Sequence, residues 1–156
     1  MYSLDHTDTM LLRALSEEPR STFVALAQKL GLSRNTVQAR MARLEESNAF
    51  LSFERRISTI ALGYPLTAFV EVQVQQRFLT QIIAKLAQIP EIVQAHGMSG
   101  PSDLLVRVVC TDAEDLFRID GTILAVEGVE RTETSLAMGE VIPFRVAPLL
   151  DRADGR

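Results

Sequence analysis

The chain has 156 residues, 47% hydrophobic and 23% charged, with a formal net charge of −4; that is enough for one medium or two small globular domains. No apolar run nears the roughly 20 residues that span a bilayer, and the opening MYSLDHTDTM lacks the apolar stretch of a secretory signal. Cys110 is the only cysteine, which excludes an internal disulfide and a cysteine-cluster zinc site and fits a cytoplasmic protein.

The first element in chain order is a helix opening near Thr7 or Asp8, with Leu11, Leu12 and Leu15 on one side and Pro19 beyond its end. A second follows Thr22 as cap, carries Leu26, Ala27 and Leu30 at helical spacing, and stops at Gly31. Ser33 caps a third that runs to about Ser47, with Asn48 in the left-handed position after it. At 100° per residue, Val37, Met41 and Leu44 form its buried stripe, while Asn35, Thr36, Gln38, Ala39 and Arg43 occupy the opposite arc with Arg34 and Arg40 on the flanks.

Such an arc suits a DNA major groove. Asn and Gln pair with adenine, Arg with guanine, a small alanine allows close approach, and flanking arginines reach phosphates. Helix, glycine turn, helix is the helix-turn-helix arrangement. Charge agrees with it: residues 1–60 carry eight basic against seven acidic side chains, and the rest eight against thirteen. A polyanion is drawn to the first part and repelled from the second. The stretch FLSFERRIST, with Arg55 and Arg56, reads as a strand pair or wing beside the groove. The alternative for this region is a plain helical bundle with a solvated basic face.

From Pro65 the period changes to two. TAFVEVQVQ reads as a strand, FLTQIIAKLAQI as an amphipathic helix ended by Pro90, and IVQAHGM as a second strand. The pattern recurs in DLLVRVVC, DAEDLFRIDGTILAV and VERTETSLAM, with Asp112 and Asp115 capping the second helix. A shift of 37 residues lays Val72 on Val109, Leu79 on Leu116, Ile82 on Ile119, Leu86 on Ile123, Ile89 on Val126 and Ile92 on Val129. Two βαβ halves make a four-stranded antiparallel sheet with both helices on one face, a ferredoxin-like βαββαβ sandwich. Cys110 reads as a small buried hydrophobe within it. The uncovered face holds Phe69, Glu71 and Gln73, with Leu105, Arg107 and Val109 as candidates, a mixture suited to dimerisation through the sheets.

Between the second and third strands, HGMSGPSD (residues 96–103) admits two readings. Glycine-rich backbone amides can hold a carboxylate while Asp103 takes an ammonium, which together describe an amino acid; otherwise the stretch is a polar hairpin turn. His6 and His96 stand apart and form no ligand set with the lone cysteine, so neither a metal nor an enzyme is expected.

LDHTDTMLLRAL, LAQKLGLSRNTVQARMARLEESNAF, LGY at 62–64 and GPSD at 100–103 together resemble the Lrp/AsnC family of transcription regulators, from about Leu4 to Pro148. The resemblance implies a winged helix-turn-helix at 1–50, a wing and linking strand at 51–64, a ferredoxin-like effector-binding and oligomerisation domain at 65–148, and a tail at 149–156. It implies double-stranded DNA as partner, with contacts from Ser33, Arg34, Asn35, Thr36, Gln38, Ala39, Arg40 and Arg43. It further implies homodimers, octamers or larger discs, and an amino acid effector in place of any cofactor. Effector contacts fall on Gly97, Met98, Ser99, Gly100, Ser102 and Asp103, with Thr134 or Ser135 added. The chain departs from the family pattern in having Ser102 where relatives often carry an aromatic residue, Pro101 without an N–H, and no proline ahead of Leu62 and Gly63. The competing function is an architectural DNA-binding protein without an effector.

Overall fold

The computed structural model describes residues 4–153. The chain divides into two compact units, one formed by residues up to Arg55 together with residues from Ile142, the other by Arg56–Val141.

In the first unit, α1 (His6–Glu17), α2 (Phe23–Leu30) and α3 (Arg34–Glu46) enclose Leu11, Leu26, Val37 and Leu44, all fully buried, with Ala14, Ala27 and Met41 beside them. Local capping chemistry sets the boundaries. The cap of α1 is Asp5 rather than Thr7 or Asp8: its carboxylate accepts from the Asp8 amide, and the Asp8 carboxylate accepts from the Asp5 amide. Thr22 and Ser33 cap α2 and α3 as the sequence predicts. After α2, Gly31 takes φ 66°, and the Leu32 amide donates to the Ala27 carbonyl at 2.9 Å. Asn48 does the same after α3 at φ 57°, with Ala49 donating to Leu44. Both are left-handed helix stops that satisfy carbonyls which the helices leave open.

Two stretches of the chain look different from their sequence reading. Residues 51–64, where the sequence suggests a wing and a linking strand, contain no strand within this chain. Phe53–Arg56 make a single 3-10 turn, and the amides of Arg55, Leu62, Gly63 and Tyr64 bond to carbonyls three to five residues back. The terminal stretch is also not a tail as far as the structure describes it: Ala147–Ala153 form α6, which packs on α1. Seven residues are too few to hold a helix in water alone. Burial of Leu150 and an Arg13–Asp151 ion pair at 2.6 Å tie it down; residues 154–156 lie outside the described residues.

The second unit is a sheet of order β2-β3-β1-β4, all neighbours antiparallel, formed by β1 (Leu66–Val74), β2 (Ile92–Gly97), β3 (Leu104–Cys110) and β4 (Val129–Leu136). Helices α4 (Leu79–Leu86) and α5 (Ala113–Leu124) supply Ile82, Leu86, Ile119 and Ile123 to a core shared with Ala68, Val70, Val72, Val106, Val108 and Cys110. Asp112 caps α5, accepting from the Asp115 amide at 2.8 Å.

The 37-residue repeat holds in the two helices and in the turns that lead out of them. Leu79 and Leu116, Ile82 and Ile119, Leu86 and Ile123, Ile89 and Val126, and Ile92 and Val129 all contribute to that core. It slips between β1 and β3. Val72 faces the helices, whereas Val109 pairs with Thr67 on the opposite face, because a one-residue offset in a strand reverses the side chain.

Candidate functional site

Helix α3 meets the core through Val37, Met41 and Leu44, which leaves Arg34, Asn35, Gln38, Ala39 and Arg43 exposed. Ser33 spends its hydroxyl on the cap: it accepts from the Thr36 amide at 3.0 Å and lies 2.8 Å from the Thr36 hydroxyl. Thr36 is accordingly half-buried. Arg34 has no ion-pair partner among the described residues. The exposed arc is therefore made of amide, guanidinium and methyl groups, with the free amides of the first helical turn at one end.

Arg40 is placed differently from the other members of the predicted set. Its Nη1 reaches Asp5 Oδ2 and, at 3.2 Å, Asp8 Oδ1 at the start of α1. Its side chain is 24% exposed and that of Asp8 is fully buried. The Asp8 amide and then Arg40 hold the Asp5 carboxyl below its ordinary range, and the two carboxylates raise the arginine further. Sequence spacing shows Arg40 on a flank; it carries no signal for a partner 32 residues earlier.

In the second unit, residues 98–103 close the β2–β3 hairpin, with the Met98 amide donating to the Asp103 carbonyl at 2.8 Å. Gly100 takes φ 152°, a conformation side chains disfavour. The loop is bound to β1 and to Gln76 just beyond it. Asp103 Oδ2 accepts from the Val74 amide at 2.8 Å and Oδ1 from Gln76 Nε2 at 2.6 Å. Ser102 Oγ donates to Glu71 at 2.5 Å, and Gln73 Nε2 donates to the Pro101 carbonyl at 2.9 Å. Gly97 ends β2 opposite Leu104, while Met98, Ser99 and Gly100 are exposed.

Both oxygens of Asp103 thus already have protein donors, and Glu71, Gln73 and Gln76 are parts of the loop site that sequence reasoning missed. The alternation of β1 places Glu71 and Gln73 on the open face, which was the one available signal.

The two β4 candidates lie on opposite faces. Thr134 pairs with Val70 on the helix side, where its hydroxyl donates to Asp120 of α5 at 2.6 Å. Ser135 pairs with Phe69 on the open face, beside the Glu71–Glu133 pair. Thr134 is therefore not brought together with the loop, because the pleat turns it away. His96 is exposed and pairs with Leu105. Among the described residues there is no group of three or more His, Cys, Asp or Glu suited to a metal ion. None of their helices is long and apolar enough to cross a membrane.

Comparison with known proteins matches both units. The AsnC-type helix-turn-helix domain model matches residues 4–45, and the Lrp/AsnC ligand binding domain model matches residues 67–147. An HTH-type transcriptional regulator of Mycobacterium tuberculosis is 32% identical over 91% of this chain and 97% of its own length. The HTH-type transcriptional regulator FL11 of Pyrococcus furiosus is 27% identical over 86% of this chain and 89% of its own.

Among solved structures, E. coli AsnC superposes with a TM-score of 0.85 at 22% identity, covering 94% of this chain and 100% of that one. A Neisseria meningitidis transcriptional regulator in complex with L-Met gives 0.80 at 24% identity, over 90% and 94%. At those identities the likeness is one of fold. With a helix-turn-helix unit, a four-stranded α+β unit and a family model spanning each, this chain belongs to the Lrp/AsnC family of transcription regulators, which are not enzymes.

Proposed function

We propose that the chain regulates transcription by laying the exposed arc of α3 in the major groove of double-stranded DNA, in the cytoplasm, as a homodimer or an octamer built from dimers. One observation carries the reading: the face of α3 not committed to the core presents Arg34, Asn35, Gln38, Ala39 and Arg43 to solvent. Arg34 and Arg43 reach phosphates and set position; Asn35 and Gln38 read base edges; Ala39 lets the helix approach. Ser33 and Thr36 hold the helix start, whose free amides favour a phosphate. Self-association through the open sheet face, where Phe69 and Arg107 lie side by side, supplies a second reading helix, so that two half-sites are engaged at once.

Gel shifts over a salt series test the DNA reading. Arg34→Ala weakens binding to every sequence and flattens the salt dependence, whereas Gln38→Ala relaxes preference at one base position by about 1–3 kcal/mol. Identical behaviour of the two variants refutes the division of labour.

For the effector, the favoured ligand is an amino acid or a similar small zwitterion held near Gly97, Met98, Ser99, Gly100 and Ser102. The Neisseria relative was solved with L-Met. The second reading, an architectural DNA-binding protein without an effector, is supported by the internal use of both Asp103 oxygens and by the missing N–H at Pro101. Calorimetry of the purified chain against all twenty amino acids separates them; no heat from any favours the second.

A further inference from the structure

We infer that Arg40 is a positioning residue of the DNA-reading helix: paired with Asp5 and Asp8, it fixes the rotation of α3 about its own axis, and it is not a phosphate contact. The inference rests on the reading that α3 meets DNA, and concerns how the helix is aimed.

The start of α1 is a pair of carboxylates braced by local hydrogen bonds. Asp5 and Asp8 each accept from the other's amide, at 3.0 and 3.2 Å, and the Thr9 hydroxyl donates to the Asp5 carbonyl at 3.1 Å. A fully buried carboxylate such as Asp8 needs a cationic partner, because desolvation is costly without one. Arg40 supplies a guanidinium to it, and reaches Asp5 with the same nitrogen.

Arg40 stands mid-helix, one residue before the buried Met41 and three after the buried Val37. The core contact of α3 is aliphatic: Val37, Met41 and Leu44 against Leu11, Leu26 and their neighbours. Apolar packing is non-directional and resists a roll about the helix axis less than an ion pair of fixed geometry does. A roll would swing Asn35, Gln38 and Ala39 along the groove wall. Base contacts depend on hydrogen-bond distance and angle, while phosphate contacts tolerate displacement. Loss of the clamp therefore damages sequence discrimination before it damages general affinity.

The test uses the full chain and two duplexes, one selected by the wild-type protein from a random pool and one of scrambled sequence. Affinities are measured across a salt series well below each variant's melting temperature. For Arg40→Gln we expect affinity for the selected duplex to fall about 10-fold or more, affinity for the scrambled duplex to stay within about threefold, and the salt slope to stay unchanged. Asp8→Asn, which leaves Arg40 in place, gives the same pattern, and the double variant is no worse than either single one. Arg40→Lys keeps a cation opposite Asp8 and restores most of the discrimination, so the test survives a poorly folded Gln variant.

A salt slope reduced by about one per bound chain, with equal loss on both duplexes, makes Arg40 a phosphate contact and overturns the inference. So does undiminished or tighter binding by Asp8→Asn, or losses that multiply in the double variant. Arg34→Gln is the separate control: if it changes neither affinity nor slope, the underlying reading of α3 fails instead.

Discussion

Asp103→Ala is the substitution that separates a ligand-binding loop from a braced hairpin. It leaves the Val74 amide, in a residue only 6% exposed, without its carboxylate acceptor, and a hydrogen bond to a charged group contributes about 1.5–3 kcal/mol. The Gln76 side chain is exposed and can turn to water, so that bond adds about 0.5–1 kcal/mol. The sum, about 2–4 kcal/mol, corresponds to a fall of roughly 10 °C or more in the melting temperature of a unit the size of Arg56–Val141. Asp103→Asn keeps an acceptor for Val74 while removing the charge, and should cost about 1 kcal/mol or less. Thermal unfolding of both variants, with hydrogen exchange at the Val74 amide, reads the difference. If Asp103→Ala melts within about 2 °C of the parent and Val74 exchanges no faster, the bracing argument is wrong. If Asp103→Asn keeps its stability but loses an amino acid response seen in the parent, the charge serves a ligand as well.

The same geometry predicts three further outcomes. Gly128→Ala should cost about 2–4 kcal/mol in chemical denaturation, since its φ of 92° disfavours a side chain and the new Cβ would stand 2.6 Å from Phe78 Cβ; a change under about 0.5 kcal/mol would show that Phe78 simply moves. In α6, Leu150→Ala should cost about 1–3 kcal/mol, whereas Asp151→Ala, which breaks a pair whose side chains are 43% and 60% exposed, should cost under about 1 kcal/mol; the reverse order in paired melts would mean that charge, and not burial, docks the helix. Because the Asp5 carboxyl is held below its ordinary 3.8, its contribution is fully present above about pH 4 and is lost as pH falls through the lowered value. Melting curves between about pH 6 and pH 3 should show a loss that Asp5→Asn lacks, and parallel curves would dismiss the linkage.

The elements legible in the sequence were those whose causes are local. Thr22, Ser33 and Asp112 cap their helices because a side-chain acceptor two or three residues ahead of a free amide is a short-range fact. Gly31 and Asn48 end helices for the equally local reason of their positive φ. Alternation in β1 assigned Phe69, Glu71 and Gln73 to the open face correctly. What misled was sequence read without its partners. FLSFERRIST has the composition of a strand, yet a strand exists only when another pairs with it, and no strand of this chain lies beside the stretch. DRADGR looks like a solvated end, but α6 starts ahead of it, and its anchor is Leu150. The 37-residue repeat tracked helix packing and missed Val109, because a helix tolerates a small angular error whereas a strand has only two faces.

The site residues show the same limit at the level of single atoms. Composition says what Arg40 and Asp103 are able to bind: one is a cation on the flank of a basic helix, the other a carboxylate in a glycine-rich loop. It does not say what they already bind. Arg40 is engaged with Asp5 and Asp8, 35 and 32 residues earlier, and Asp103 with Val74 and Gln76, 29 and 27 residues earlier. A guanidinium or carboxylate with its hydrogen bonds satisfied inside the fold must surrender them before taking up an external partner, and part of the new interaction is then consumed by the exchange. Arg34 faces no such competition among the described residues. The two arginines, both on the flanks of the helical wheel, should therefore differ in the salt dependence of DNA binding: the slope responds to the loss of Arg34 and is indifferent to the loss of Arg40.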